Sequence, residues 1–226
     1  MRELQSIVDE AIVPRDVVGE DCPPYDISRI DFERLRQEFA VSKSKRTAVQ
    51  SMKATVEARL AALLARNPLR TDFQRRYEEI VAAYNSEKDR QTIEQTFEAL
   101  LKFIAEMSEE EERAVREGLD EETLAIYDLL KKPALSKADT GKIKAVAKNL
   151  LEKLKAEKLA VSHWRDKEST RDGVKKQIRD FLFSDATGLP AAYTDTEIDV
   201  KTNVVFRHIY EVYPVLPSPY YGRKSA

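Results

Sequence analysis

Few residues in this sequence are of the types that carry out chemistry, and they lie far apart. The chain has one cysteine, Cys22, and two histidines, His163 and His208. Structural zinc needs about four Cys or His ligands in spaced pairs, and a Cys–His nucleophile pair needs a third, orienting group. A lone loop cysteine is weak support for either site. His208 is predicted at the surface or rim, opposite the stripe that Val205 and Ile209 form on the last helix.

Patterns that resemble nucleotide or nuclease motifs lack the surroundings that such motifs need. Gly141-Lys142 has no upstream glycine of a phosphate-binding loop and lies at the start of a predicted helix. Asp199-Val-Lys201 loosely imitates a metal-dependent nuclease, in which both acids must reach one metal ion. On a helix Asp199 and Lys201 point in different directions, so a solvated helix face is the better interpretation. We predict no catalytic, cofactor-binding or metal-ligating residue in this chain.

The stretch Leu159–Phe183 gathers the single tryptophan, Trp164, with His163 and a run of mixed charges. A tryptophan just before a helix anchors a loop to the core because it buries a large apolar area; an interface contact is the alternative. We predict a structural anchor at Trp164, followed by a helix that Asp166 caps. The charged face of this stretch is a candidate contact surface, made of Arg165, Lys167, Arg171, Lys175 and Arg179.

Charge is segregated along the chain, although the net charge is only −2. Between Lys43 and Arg76 nine bases face two acids, and between Glu106 and Glu122 nine acids face two bases. A basic stripe on a helix can follow a phosphate backbone, but basic and acidic helices can also pair with each other. We favour a solvated face, with DNA or an acidic partner as alternatives. The candidate contacts of the basic run are Lys43, Lys45, Arg46, Lys53, Arg59, Arg70 and Arg75.

The elements that position these residues are predicted to be helices throughout. The 226 residues include 35% charged side chains and only 6 glycines, which is typical of helical proteins with solvated outer faces. Apolar residues recur at spacings of three and four, and no segment alternates as a strand does. The stripes of Phe73–Tyr84 and Ile93–Ile104 predict two antiparallel helices or one bent helix. We predict an all-α fold, an irregular multi-helix bundle of about eight to ten helices with an extended proline-rich C-terminal tail.

Local patterns set the predicted ends of several helices. Ser or Thr followed three residues later by Glu or Gln satisfies two free backbone N–H groups. This capping box occurs at Thr71–Gln74, Ser108–Glu111 and Thr194–Glu197, where we predict helix starts. Gly118 suits the position just after a helix, which favours a left-handed backbone.

The predicted organisation has three parts. Residues 1–27 form an N-terminal helix and linker, residues 28–213 a helical domain, and residues 214–226 an extended tail. The helical domain is either one bundle or two sub-bundles divided near residues 108–120. A single cysteine forms no internal disulfide, no apolar run approaches the roughly 18 residues that span a bilayer, and the N-terminus lacks a signal-peptide pattern. These features predict a cytoplasmic protein without membrane association.

Five segments in order carry a family resemblance: IDFERLRQEFA, NPLRTDFQRRYEEIVAAYN, REGLDEETLAIYDLLKK, KLAVSHWRDKESTRDGVKKQIRDFLF and VFRHIYEVYP. Together, from about Asp31 to Pro219, they resemble the C-terminal helical region of the restriction (R) subunit of type I restriction–modification enzymes. The full-length subunit in that family is an ATP-dependent DNA translocase and endonuclease, with a nuclease domain and two RecA-like motor domains before the helical region.

The resemblance implies that this chain is the helical region alone and that residues 1–27 continue from an upstream motor domain. The family's catalytic residues have no matching positions here, so ATP and Mg²⁺ are expected in the upstream domains only. The implied role is docking of the motor subunit onto the methyltransferase (M) and specificity (S) subunits, with double-stranded DNA as a further contact. The alternative is a helical nucleic-acid-binding module that acts independently of a methyltransferase.

Overall fold

The fold is helical in every part of the chain described by the computed structural model, residues 32–42, 44–86, 90–133 and 135–221. These residues form nine α-helices, one π-helical turn and no strand, which confirms the predicted all-α class. The helices, named α1 to α9 in chain order, are Phe32–Val41, Lys45–Arg66, Thr71–Ser86, Arg90–Glu111, Arg113–Arg116, Glu121–Leu130, Lys137–Leu154, Glu168–Phe183 and Asp195–Val212, and the π-helical turn is Lys155–Leu159. None of these helices is long and apolar enough to cross a membrane. The N-terminal part predicted over residues 1–27 lies outside the described residues.

The described residues form two compact units, which divide after Glu112, with residues 64–69 belonging to the second unit. In the first unit, α2 carries the predicted apolar stripe. All five of its members are at most 3% exposed: Val49, Met52, Val56, Leu60 and Leu63. Helical spacing alone therefore identified the core face of α2.

Helices α2, α3 and α4 run up, down and up in the first unit. Between α2 and α3, the Tyr77 hydroxyl donates to Glu57 at 2.6 Å, and Gln50 lies 3.4 Å from the Tyr84 hydroxyl. The residue numbers rise on one helix as they fall on the other, so the pair is antiparallel. The aromatic rings of Phe73 on α3 and Phe103 on α4 meet edge to face at 5.9 Å.

The segments at 73–84 and 93–104 form separate helices, α3 and α4, and the antiparallel packing predicted for them is confirmed. Arg70, just before α3, pairs with Glu110, and Arg76 pairs with Glu106 on α4. The residue numbers of the paired side chains rise along α3 as they fall along α4. The two helices therefore run in opposite directions.

In the second unit, α6 packs on α7, α7 on α8, α8 on α9, and α9 back on α6. Fully buried apolar side chains from all four helices meet in one core: Leu124, Ile143, Leu150, Ile178 and Val205. This closed four-helix arrangement supports the loop before α8 and the segment after α9.

Two predicted helix ends are confirmed. Thr194 and Glu197 form a complete capping box at the start of α9. Gly118 has a φ of 68° and donates to Val115 O at 3.0 Å, while Leu119 N donates to Ala114 O at 2.9 Å. This pair of bonds closes the short helix α5 in the way that a left-handed glycine allows.

The other predicted caps are wrong, although a helix does begin at Thr71 as predicted. Ser108 lies inside α4, where its hydroxyl donates to Ile104 O at 2.9 Å. Helix α3 begins at Thr71 itself, and Gln74 donates to Glu78 at 2.6 Å rather than reaching back. Helix α8 begins at Glu168 after Lys167, which makes no side-chain cap bond, so Asp166 is not its cap. Ser, Thr and Asp side chains can bond to backbone groups either at a helix cap or within a helix. At these positions tertiary contacts determined which of the two forms.

The prediction for His208 is also wrong, because its side chain is only 2% exposed. It lies three residues after Val205 and four before Val212, both buried, so helical spacing already places it on the inner face of α9. Its Nε2 lies 3.0 Å from the Tyr221 hydroxyl, and that hydroxyl in turn donates to Arg66 O. The segment after α9 is further held by Ser218, whose hydroxyl donates to Val212 O at 2.6 Å.

Burial of His208 makes the stability of the fold depend on pH. Burial lowers the pKa of His208 to about 4, with Glu211 opposing the shift weakly, whereas an unfolded histidine titrates near ~6.5. At pH values between these two pKa values, His208 is protonated in the unfolded chain and neutral in the folded chain. The free energy of unfolding therefore falls as the pH falls. Lowering the pH from 7 to 5 should remove about 2 kcal/mol from the free energy of unfolding.

Urea unfolding of His208→Asn at the two pH values tests this expectation, and the variant should lose most of the difference. The matched control is His163→Asn, since His163 is exposed and Asn tolerates its positive φ of 57°. Equal pH dependence in the wild type and His208→Asn would contradict the assignment.

Substitution by alanine at Gly188 and at Gly141 is expected to change the stability of the fold in opposite directions. A Cβ at Gly188 would overlap the carbonyl oxygens of Leu182 and Ser184, whereas a Cβ at Gly141 on α7 would meet nothing within 4 Å. Gly188→Ala should destabilise the protein by about 1–3 kcal/mol through overpacking. Gly141→Ala should stabilise it by about 0.5–1 kcal/mol through helix propensity. Thermal unfolding measures both, and a Gly188→Ala variant as stable as wild type would refute the close approach.

Candidate interaction surface

The basic run of the first unit meets the acids of α4. Lys45 pairs with Glu94 at 2.6 Å. Arg59 makes two bonds to Glu111, at 3.0 and 2.6 Å, and a third to the Ser108 hydroxyl at 2.9 Å. The sequence left open whether basic and acidic helices pair with each other, and within this unit they do.

Pairing with an acid of α4 also makes Arg70 unavailable as a surface contact. Its side chain is only 3% exposed and binds Glu110 at 2.9 Å. A phosphate could reach this guanidinium only by breaking a buried ion pair, which is strongly unfavourable. Arg59, with a side chain 17% exposed, is restricted in the same way.

The remaining candidates of the basic run do not converge on one site. Arg75 is exposed and pairs with Asp72 within its own helix at 3.0 Å. The Lys53 ammonium lies over the Tyr84 ring at 5.4 Å. Arg46 is exposed, and Lys43 lies outside the described residues.

In the second unit, Trp164 fixes the loop before α8. Its side chain is 1% exposed, and its indole N–H donates to Tyr213 O at 2.8 Å. Its ring meets the Tyr210 ring edge to face at 6.0 Å. The Thr170 hydroxyl donates to Trp164 O at 2.5 Å. The side chain of Trp164 is therefore bound to the residue that follows α9, and its backbone carbonyl is bound to α8.

Arg165, the next residue, lies on the outside of this anchor. Its Nη1 donates to Tyr210 O at 2.5 Å, and its guanidinium lies 4.9 Å from the centre of the Tyr210 ring. Arg171 then donates from Nη1 to Arg165 O at 2.8 Å. The structure thus brings two of the five candidate residues of this stretch together, both half-buried.

The other three candidates of the stretch lie apart from this pair. Arg179 binds Asp199 on α9 at 2.8 Å and stacks on Phe183 at 4.6 Å. Lys167 and Lys175 are exposed. The charged face predicted from sequence is therefore one arginine pair, one interhelical ion pair and two solvated lysines.

Tyr210 and Phe206, which lie beside the arginine pair of Arg165 and Arg171, were not among the residues predicted from the sequence. Tyr210 is 38% exposed, and its ring lies 6.2 Å from that of Phe206. The two residues are four apart on α9, so helical spacing could have paired them. What the sequence could not indicate is that the loop carrying Arg165 returns to this point.

The nuclease-like pattern does not form a site. Asp199 binds Arg179, whereas the Lys201 ammonium donates to Leu129 O at 2.6 Å and Lys131 O at 3.0 Å. Burial lowers the pKa of Lys201. Within the described ranges no group of three or more His, Cys, Asp or Glu could hold a metal ion.

The relationship to known proteins follows from one comparison. A family model described as the C-terminal domain of type I restriction enzyme HindI endonuclease subunit-like proteins matches residues 1–212. The chain belongs to this family. No curated protein and no solved structure gives a significant match to the chain.

The family assignment confirms the resemblance to the C-terminal region of an R subunit. The match ends at Val212, the last residue of α9. The nine helices of the described residues, and with them Arg165, Arg171 and Tyr210, therefore belong to the part of the chain that the family shares. This domain is part of a type I restriction endonuclease subunit, and so belongs to the context of a restriction complex.

Proposed function

We propose that this domain docks the motor subunit of a type I restriction endonuclease onto its methyltransferase core, the M and S subunits. The observation that carries the proposal is the family match over residues 1–212. ATP and Mg²⁺ would act in the upstream domains of the parent subunit, where translocation and cleavage would take place.

Exposed apolar side chains in the second unit support a docking role. On α9, Val200 is 55% exposed and Val204, one turn later, 39% exposed. Just after the helix, Val215 is 59% and Leu216 38% exposed. Groups of exposed apolar side chains are typical of protein-interaction surfaces.

Binding of this chain to purified methyltransferase core tests the proposal directly. We expect a saturable complex by calorimetry, and competition by the chain against assembly of the longer subunit. If the core ignores this chain but binds the longer subunit through other regions, the proposal is wrong.

A second candidate function is duplex DNA binding. It is favoured by a groove that lies between α8 and the C-terminal end of α7. The groove has a volume of about 430 Å³, and Lys153, Lys158 and Lys176 line it together with Glu157 and Asp180. Among the described residues these three lysines form no ion pair, although the Lys153 ammonium lies over the Phe181 ring at 5.9 Å. Their charge is therefore available to phosphates.

Salt-dependent DNA binding distinguishes this candidate from docking. Three phosphate contacts would give log Kd a slope of about 3 against log salt concentration. The triple variant Lys153→Glu, Lys158→Glu, Lys176→Glu should then lose both affinity and slope. If wild-type chain ignores DNA at low salt while it binds the core, this candidate fails and docking stands.

A further inference from the structure

Two arginines of the second unit, joined by a hydrogen bond from Arg171 Nη1 to Arg165 O, carry uncompensated positive charge. Within the described part of the chain, neither Arg165 nor Arg171 forms an ion pair. Each is half-buried and donates instead to a backbone carbonyl, of Tyr210 and of Arg165. A carbonyl orients a guanidinium but does not neutralise it.

Within the described residues, the acids nearest along the chain form no ion pair with either arginine: Asp166, Glu168 and Asp172. Asp166 stands between the two arginines in sequence, yet its carboxylate lies 3.4 Å from His163 Nδ1. Its side chain is 70% exposed, so solvent screens it from the half-buried pair.

Arg165 is held in one orientation with its binding edge open. The Tyr210 ring lies against the guanidinium, and the buried Trp164 fixes the backbone beside it. Only Nη1 has a hydrogen-bond partner in the described structure, so the Nε–Nη2 edge is without one. That edge has the spacing to bind one carboxylate through two parallel hydrogen bonds.

Apolar neighbours indicate what kind of molecule brings this anion. Tyr210 is 38% exposed and Val161, in the same loop as Arg165, is 47% exposed; Phe206 is half-buried. Arginine beside exposed aromatic residues is typical of the energetic centre of protein interfaces. Surfaces that bind DNA backbones are more polar and more basic.

We infer that Arg165 and Arg171 receive an aspartate or glutamate side chain, flanked by apolar residues, of the methyltransferase core. This inference rests on the docking function proposed above and names the point of contact. Because the guanidinium is already oriented by Tyr210, little side-chain entropy is lost when the carboxylate binds.

Calorimetric titration of methyltransferase core with variants of this chain tests the inference. Arg165→Gln should weaken binding about 30-fold, the effect of a central interface residue. Arg165→Lys should still lose about 10-fold, because lysine keeps the charge but neither the fork nor the stacking. Arg171→Gln, which leaves the contact with Tyr210 intact, should weaken binding about 5-fold and decides the matter if Arg165→Gln fails to fold.

The matched control is Arg207→Gln on α9, the helix that carries Tyr210. Arg207 is an exposed arginine that already pairs with Glu211 at 3.0 Å, so the affinity should change less than about 2-fold. Circular dichroism melting of each variant separates loss of contact from loss of fold.

The outcomes separate the inference from the function on which it rests. If wild-type chain does not bind the core, the docking function fails and the inference with it. If it binds, and the Arg165 and Arg171 variants bind like Arg207→Gln, docking stands and the contact point is wrong. If Arg165→Gln loses affinity for duplex DNA but not for the core, the arginine pair receives a phosphate and the inference is overturned.

Discussion

Asp128→Ala is expected to lower the free energy of unfolding by about 3–5 kcal/mol, because it leaves a buried network without its anion. Arg113 donates to both carboxylate oxygens of Asp128, one of the two bonds measuring 2.9 Å. Asn67 donates to the same carboxylate at 2.7 Å, and Lys131 lies 3.3 Å from it. Asp128 is 4% exposed and Asn67 1% exposed, so water cannot replace the lost partner.

The ionised form of Asp128 is what the network requires. Burial alone would raise the pKa of Asp128, but the hydrogen bond and charge of Arg113 outweigh it, with help from Lys131 and Asn67, so the pKa is lowered. The carboxylate therefore contributes stability above its ordinary pKa, and that contribution is lost as the pH falls below it. Asn67 in turn accepts from Leu69 N at 3.1 Å, which links the carboxylate to the turn after α2.

Urea unfolding monitored by circular dichroism measures the effect of Asp128→Ala. The matched control is Asp72→Ala, which removes an exposed carboxylate from the pair with Arg75 and should cost less than about 1 kcal/mol. Adding Arg113→Met to Asp128→Ala should restore part of the loss by removing the stranded charge. If Asp128→Ala costs no more than Asp72→Ala, the network does not stabilise the fold.

Trp164→Ala is expected to destabilise the protein by about 3–5 kcal/mol, the usual cost of deleting a buried aromatic side chain. The indole is 1% exposed and its N–H satisfies Tyr213 O at 2.8 Å. Trp164→Phe keeps most of the volume and should cost less, about 1–3 kcal/mol, because Tyr213 O loses its donor.

Because Arg165 follows Trp164 directly, both variants should also weaken binding to the methyltransferase core if the arginine pair is the contact. Unfolding is measured by circular dichroism, since Trp164 is the only tryptophan. Val161→Ala, in the same loop and 47% exposed, is the control and should change stability by less than about 0.5 kcal/mol. A Trp164→Ala variant as stable as this control would disprove the anchoring role.

Local sequence predicted the helices well wherever a helix has one strongly apolar side. The stripe from Val49 to Leu63 is buried as its spacing requires, and Thr194 begins α9 with the predicted capping box. Predictions from local sequence were wrong where one pattern is compatible with two structures. Ser108 and Glu111 have the spacing of a capping box, yet in the folded chain Glu111 binds Arg59, which is 52 residues away. No local pattern contains that contact.

The sequence by itself determined that this protein is helical, how its charges are distributed along the chain, and to which family it belongs. Only the tertiary structure decided which of those charges are used internally. Arg70 is buried against Glu110, Arg179 is paired with Asp199, and Arg165 lies against Tyr210 with no ion-pair partner among the described residues. The physical reason is that an ion pair between helices depends on the register in which they pack. That register is set by the whole core and not by the residues near the charge.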